Sequence, residues 1–299
     1  MKTPPTTRRH FLENTALALA AAAVGPGLRA AATASSRAWT IGCLNRPWTK
    51  WSADEMLDGV KSAGFRLLGL QTPTPADPFA GATATREYLA ELKDKIAARG
   101  LEAFQGRLQT RDAAPEADEA AAIRRQIDHA EYLGLRVLIN TGTAKVDAYP
   151  KWYRAMALAA AYGADHGVEI VVKPHGGVTA AAPELLTCLE KVNHANFRLW
   201  YDAGNLIYYT GKDPLADLEP LLPHVTAFTA KDCAGKGAEV MTQFGTGKVD
   251  FTAIFRRLKR AGFAGPIVME SCAVAATAAE TAANARANRL FLEKALAQV

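Results

Sequence analysis

Cysteine is scarce in this 299-residue chain: Cys43, Cys188, Cys233 and Cys272 are the full set, and no two stand in C-x-x-C spacing. That argues against a zinc-ribbon type of metal site and against a disulfide-built scaffold. The four read as mostly buried thiols, with one bridge open to them in an oxidising compartment. Long apolar runs are missing too. The best candidate, Thr15 to Val24, falls short of the roughly 20 residues a membrane helix requires. Charge is not strongly of one sign either. The formal net charge is +5, and Lys2, Arg8, Arg9 and Arg29 against Glu13 supply three of it, leaving about +2 beyond residue 32, too little for a nucleic-acid surface. No G-x-G-x-x-G follows the first strand-like run, no arginine cluster stands out as a phosphate site, and no internal repeat or disordered linker interrupts the chain after its N-terminal region.

What is present begins with a segment that does not belong to a fold. Thr7-Arg8-Arg9-His10-Phe11-Leu12 sets two arginines ahead of an Ala/Leu run, and Ala30-Ala31-Ala32 or Ala32-Thr33-Ala34 offers the small side chains a signal peptidase needs. The pattern resembles a twin-arginine (Tat) signal. Residues 1–34 are therefore expected to be a signal peptide and cleavage region, and the mature protein periplasmic or secreted. The remaining chain, about 265 residues, fits one α/β domain over 39–299.

From Trp39 onward, short β-type runs alternate with amphipathic Ala/Leu/charged stretches, the pattern of parallel βα units. The predicted strands are Trp39–Leu44, Arg66–Gln71, Leu101–Gln105, Arg136–Asn140, Val168–Lys173, Phe197–Tyr201, Val225–Ala230 and Pro266–Glu270. Gly64, Gly100, Gly134, Gly167 and Gly262 each fall just before a strand, where glycine lets the preceding helix end in a left-handed cap. Val168-Glu169-Ile170-Val171-Val172 is nearly continuous in β-branched residues, as a strand covered on both faces requires. Eight regular units predict a closed (β/α)8 TIM barrel rather than a doubly wound open sheet.

Such barrels project their catalytic groups from the C-terminal strand ends. The polar or aromatic residues there are Cys43, Asn45 and Trp48, Gln71, Gln105, Asn140, Lys173 with His175, Asp202 with Asn205, Lys231 with Asp232, and Glu270. If the chain stays extended through Pro174, Lys173 and His175 share a face; His175 could equally be a loop histidine bonding backbone. A lysine ending an apolar strand must reach water or a carboxylate, and Asp202 and Glu270 are the candidate partners. Asp232 reads equally well as a turn cap. Trp48, Trp51, Tyr208 and Tyr209 offer flat faces for a sugar ring, or packing.

Five stretches carry a resemblance: Val171-Val172-Lys173-Pro174-His175-Gly176-Gly177, Tyr201-Asp202-Ala203-Gly204-Asn205, Thr229-Ala230-Lys231-Asp232, Phe244 to Phe251, and Ile267-Val268-Met269-Glu270. Over residues 39–297 the chain resembles the sugar phosphate isomerase/epimerase superfamily, the xylose isomerase-like TIM barrels. That resemblance implies a sugar or keto-sugar isomerase or epimerase that removes a proton next to a carbonyl, with a small carbohydrate as partner, and the twin-arginine pattern makes it a periplasmic one. The alternatives are a lyase or hydrolase of oxidised (keto) glycosides, or a non-catalytic carbohydrate-binding barrel with a degenerate metal site.

It also implies a divalent metal held by Glu, Asp, His and Glu on the last four strands. Asp202 and Glu270 match that pattern, whereas Lys173 and Thr229 replace a glutamate and the histidine. The expectation is that the Lys173 ammonium stands in for the missing cation. The competing expectation is a weaker site for Mn, Mg or Zn built from His175, Asp202 and Glu270. Glu270 is the candidate acid/base, Lys173 and Lys231 the oxyanion stabilisers, His175 a second proton carrier and Asp202 the group that orients Lys173. Lys231, Asn205, Trp48 and Asn140 are the candidate substrate-binding residues. No partner in nucleic acid or membrane is expected after signal cleavage, and oligomerisation is left open because no helix face identifies an interface.

Overall fold

Each of the eight predicted runs forms a strand in the computed structural model, which describes residues 39–299; the signal expected at 1–34 lies outside the described residues. The strands are β1 (Ile41–Leu44), β2 (Leu67–Leu70), β3 (Glu102–Arg107), β4 (Val137–Asn140), β5 (Glu169–Val172), β6 (Phe197–Tyr201), β7 (Val225–Ala230) and β8 (Ile267–Met269). All neighbours pair in parallel, and β8 pairs with β1 to close the barrel. The helices are α1 (Ala53–Ser62), α2 (Arg86–Ala98), α3 (Glu116–Leu133), α4 (Tyr149–Asp165), α5 (Ala182–Val192), α6 (Ala203–Thr210), the short α7 (Pro214–Leu218), α8 (Phe251–Arg260) and α9 (Ala278–Leu296).

Local chemistry sets these boundaries. Ser52 and Glu55 form a reciprocal capping box that starts α1. The five glycines ahead of strands all have φ between 66° and 86°, the left-handed conformation the sequence called for. In α8, Phe251, Ile254, Phe255 and Leu258 are buried at helical spacing while Arg256, Lys259 and Arg260 face water. Burying each of those large apolar side chains contributes about 1.5–3 kcal/mol before entropy is counted.

Strand alternation divides the apolar residues into two cores. The larger lies between sheet and helices. The smaller, Leu44, Phe104, Ile139, Val171, Trp200, Ala227 and Val268, fills the barrel itself, with Phe104 and Trp200 stacked at 6.1 Å. This plug is apolar, so the C-terminal mouth is where polar chemistry has room. One irregularity bears on that mouth: the register between β2 and β3 shifts at Leu68/Gly69, so that Leu68 pairs with Ala103 but Gly69 with Gln105. All four cysteines are buried free thiols.

Candidate active site

The plug residues identify which strand positions face inward, and two positions further along each strand lies the floor of the mouth. Val171 leads to Lys173, Trp200 to Asp202, and Val268 to Glu270; Ala227 leads through Thr229 to Lys231. Lys173, Asp202, Lys231 and Glu270 are all buried, at 0–3% exposure. Two lysines at that depth are tolerable only as partners of the two carboxylates.

The partners are in place. Lys173 Nζ donates to Asp202 Oδ2 at 2.7 Å and to Glu270 Oε2, so its ammonium lies between the two carboxylates. Lys231 Nζ donates to Glu270 Oε1 and to Asn205 Oδ1, at 2.7 and 2.8 Å, and stands 3.6 Å from Asp202 Oδ2. Asp202 Oδ1 accepts the backbone N–H of Asn205 and so caps α6. Gly204 makes this approach possible: a Cβ there would sit 2.5 Å from the Lys231 carbonyl oxygen and 2.8 Å from its Cγ. Arg46, in the turn after β1, completes the cluster by donating Nη1 to Glu270 Oε1 at 2.7 Å.

These contacts set the protonation states. Burial alone would raise the Glu270 pKa, but Lys173, Lys231 and Arg46 outweigh it and hold the carboxyl well below its usual range. Lys173 is pushed the other way: burial lowers it, and Asp202 and Glu270 more than restore it to above an ordinary lysine. Lys231 falls below the ordinary lysine value, through burial first and then through Lys173 and Arg46. His175 is lowered to about 4 by burial and by the two lysines, so its imidazole is neutral at pH 7.

Above the cluster opens a cavity of about 330 Å³, lined by Arg46, His175, Asn205, Tyr208, Tyr209 and Glu239 among others. That volume suits a small ligand. His175 Nε2 meets the Tyr209 hydroxyl at 3.2 Å, and their rings lie 4.8 Å apart. Asn205 lines the cavity, with its amide engaged by the Pro174 carbonyl and by Lys231. Asp232 instead accepts the backbone N–H groups of Cys233, Gly245, Gly247 and Val249, which makes it the clamp of the Phe244–Val249 loop.

Two expected site residues are not brought here. Asn140 follows the inward-facing Ile139, so its side chain turns outward, where it accepts from Trp152 Nε1 and donates to the Leu108 carbonyl. Trp48 is buried between α1 and α9, with its indole N–H on the Ala278 carbonyl, and packs closely against Gly59. Both hold structure rather than substrate. The proposed metal set His175, Asp202 and Glu270 does not converge either: among the described residues no group of three His, Cys, Asp or Glu side chains is placed to hold an ion. Lys173, Lys231 and Arg46 occupy the free sides of Asp202 and Glu270 with positive charge, so the donor set does not fit a divalent metal.

Arg46 is a site residue that the strand-end reading missed. Arg107, which ends β3 two residues beyond the predicted strand, lines a separate small pocket with Leu70, Pro78 and Phe79. Deeper in the barrel Gln105 Nε2 donates to Gln71 Oε1, while Gln105 Oε1 and Thr229 Oγ1 have no protein partner among the described residues.

Residues 57–295 match the family model described as xylose isomerase-like TIM barrel. L-ribulose-5-phosphate 3-epimerase UlaE of Escherichia coli (strain K12) is 24% identical over 240 residues, which cover 72% of this chain and 81% of that protein. A D-allulose 3-epimerase from Methylomonas sp. is structurally similar, with TM-score 0.66 and 20% identity over 86% of this chain and 98% of the other. A xylose isomerase-like barrel from Mycobacterium smegmatis, solved in complex with magnesium, gives TM-score 0.67 and 17% identity over 86% and 98% of the two chains. The chain thus belongs to the xylose isomerase-like TIM barrel family.

Proposed function

We propose that this protein is a keto-sugar isomerase or epimerase that moves a proton beside a carbonyl. The observation that carries this reading is the buried ammonium pair, Lys173 and Lys231, held by Asp202 and Glu270 directly behind Arg46 and Asn205, two residues that line a polar cavity. Removing a proton next to a carbonyl places negative charge on the carbonyl oxygen, and fixed cations in a shielded site stabilise that charge without reorganisation. The similarity to sugar 3-epimerases supports the substrate class.

Glu270 is the proposed proton acceptor. With three cations on its oxygens it is a weak base, and of the three, Arg46 is the one that lines the cavity and lies within reach of a substrate. His175, neutral and facing the same cavity, is the proposed second carrier. Asp202 orients Lys173. The twin-arginine pattern at residues 8–9 supports the further proposal that this reaction takes place outside the cytoplasm.

The deciding experiment is NMR in D2O with a panel of ketopentoses and ketohexoses. Replacement of the proton next to the carbonyl by deuterium, with the carbon skeleton intact, is expected for the wild type and not for Glu270→Gln. Undiminished exchange in Glu270→Gln would take Glu270 out of the reaction, and release of a fragment would move the chemistry to elimination.

A further inference from the structure

Glu270 does not line the cavity. Arg46, His175 and Asn205 do, while the side chains of Lys173, Asp202, Lys231 and Glu270 lie behind them at 0–4% exposure. Two of the three intervening residues are tied in place. Asn205 donates its amide to the Pro174 carbonyl and accepts from Lys231. His175 donates its backbone N–H to the Thr179 carbonyl and meets the Tyr209 hydroxyl. The Arg46 side chain, by contrast, has one hydrogen-bond partner among the described residues, Glu270 Oε1 at 2.7 Å from its Nη1, and remains partly exposed.

The backbone under Arg46 is fixed, so any movement belongs to the side chain. Asn45 donates its backbone N–H to the Gly69 carbonyl and its amide to the Thr72 carbonyl, its Oδ1 accepts from the Gln71 and Thr72 N–H groups, and Pro47 and Trp48 are buried. Departure of Arg46 does not strand Glu270, because Lys173 and Lys231 still donate to its two oxygens. A second carboxylate stands on the wall of the same cavity. Glu239 is exposed, and its Oε1 accepts the N–H groups of Met241 and Val240, which leaves Oε2 without a protein donor among the described residues. Those two N–H groups hold the Glu239 carboxyl below its usual range, and the charge of Arg46 acts in the same direction, so Glu239 is an anion at neutral pH.

We infer that Arg46 is a side-chain gate between the cavity and Glu270: paired with Glu270 it closes the route, and drawn to Glu239 it opens it. The role of Glu270 as proton acceptor rests on the keto-sugar reading above, whereas the swing itself requires only a ligand seated against Glu270. Opening takes one of three cations off that carboxylate, so the base strengthens as the ligand replaces the guanidinium. The closed form also lowers the apparent affinity for any ligand that needs the open one, in proportion to the fraction of molecules that are open.

The test is a double-mutant cycle on the full chain, read by calorimetric titration with D-ribulose and D-allulose. Arg46→Met leaves the route open in every molecule and is expected to bind the ketoses about fivefold or more tighter than wild type. Arg46→Gln, also neutral, is run beside it so that a folding defect in one variant leaves the other to decide. Glu239→Gln keeps the oxygen that caps Val240 and Met241 but removes the second seat for the guanidinium. It should weaken binding about threefold in the wild-type background and change it by less than about 1.5-fold when Arg46 is already Met. Weaker or unchanged binding in both Arg46 variants, or the same effect of Glu239→Gln in the two backgrounds, overturns the inference. Deuterium exchange into the same ketoses is scored separately. The expected cycle without exchange sinks the proton-transfer reading and leaves the gate standing, exchange without the cycle does the reverse, and failure of all the proteins to bind either ketose overturns both.

Discussion

Replacing Lys173 by glutamate turns the central cation of the mouth into a third carboxylate, which changes the local charge by two. The ammonium lies between Asp202 Oδ2 and Glu270 Oε2, and both partners are buried. Removing one member of such a buried pair costs about 3–5 kcal/mol, and the added negative charge makes the metal-free variant less stable still. The shorter glutamate leaves space where Nζ was, walled by carboxylate oxygens, which is what a divalent ion requires. At a Mn2+ concentration 100 times its Kd, binding would return about 2.7 kcal/mol. For a domain of this size that corresponds to a rise in Tm of about 5–10 °C.

The assay is thermal denaturation of wild type and Lys173→Glu with and without Mn2+, Mg2+ and Zn2+, with elemental analysis after dialysis. Wild type is expected to hold no stoichiometric metal and to show no shift. Lys173→Glu should gain both metal and Tm. Near-stoichiometric metal in the wild type would refute the assignment of this position to the ammonium, as would a folded Lys173→Glu protein indifferent to all three ions.

Three further outcomes follow from the geometry. His175 has a folded pKa of about 4 against an ordinary 6.5, so between those values the unfolded chain binds a proton that the folded one does not. Stability should therefore fall as pH drops from about 6.5 to about 4, by up to roughly 3 kcal/mol, and urea denaturation of His175→Asn should lack that part of the slope. Gly204→Ala forces a Cβ against the Lys231 backbone and Cγ, and should cost about 1–3 kcal/mol in Tm-based stability while lowering turnover, because it separates Asp202 from Lys231. Asn140→Ala should lose about 1–3 kcal/mol by stranding Trp152 Nε1, with KM unchanged; a raised KM would return Asn140 to the substrate site.

The distinction between Asn140 and Lys173 shows how far strand patterns reach. Both end apolar strands, and both were expected at the site. Strands of a closed parallel barrel are apolar on both faces, so alternation marks the two faces without saying which is the inner one. Only closure, with Ile139 and Val171 in the same plug, turns Asn140 outward and Lys173 inward. Trp48 misled for a related reason: an aromatic residue near a site and one packed between helices look alike along the chain. The predicted end of β3 at Gln105 fell two residues short, beside the irregular register between β2 and β3. Arg46, in a turn after β1, is indistinguishable in sequence from a solvated surface arginine.

By itself the sequence determined what depends on near neighbours: eight strand–helix units and the left-handed glycine ends. Only the tertiary structure decided which strand ends converge, that Lys173 and Lys231 share two carboxylates, and that Arg46 adds a third cation to Glu270. The physical reason is range: helix caps and strand propensities act over a few residues, whereas the charges of this mouth are separated by up to 224 positions in the chain and meet only when the last strand pairs with the first.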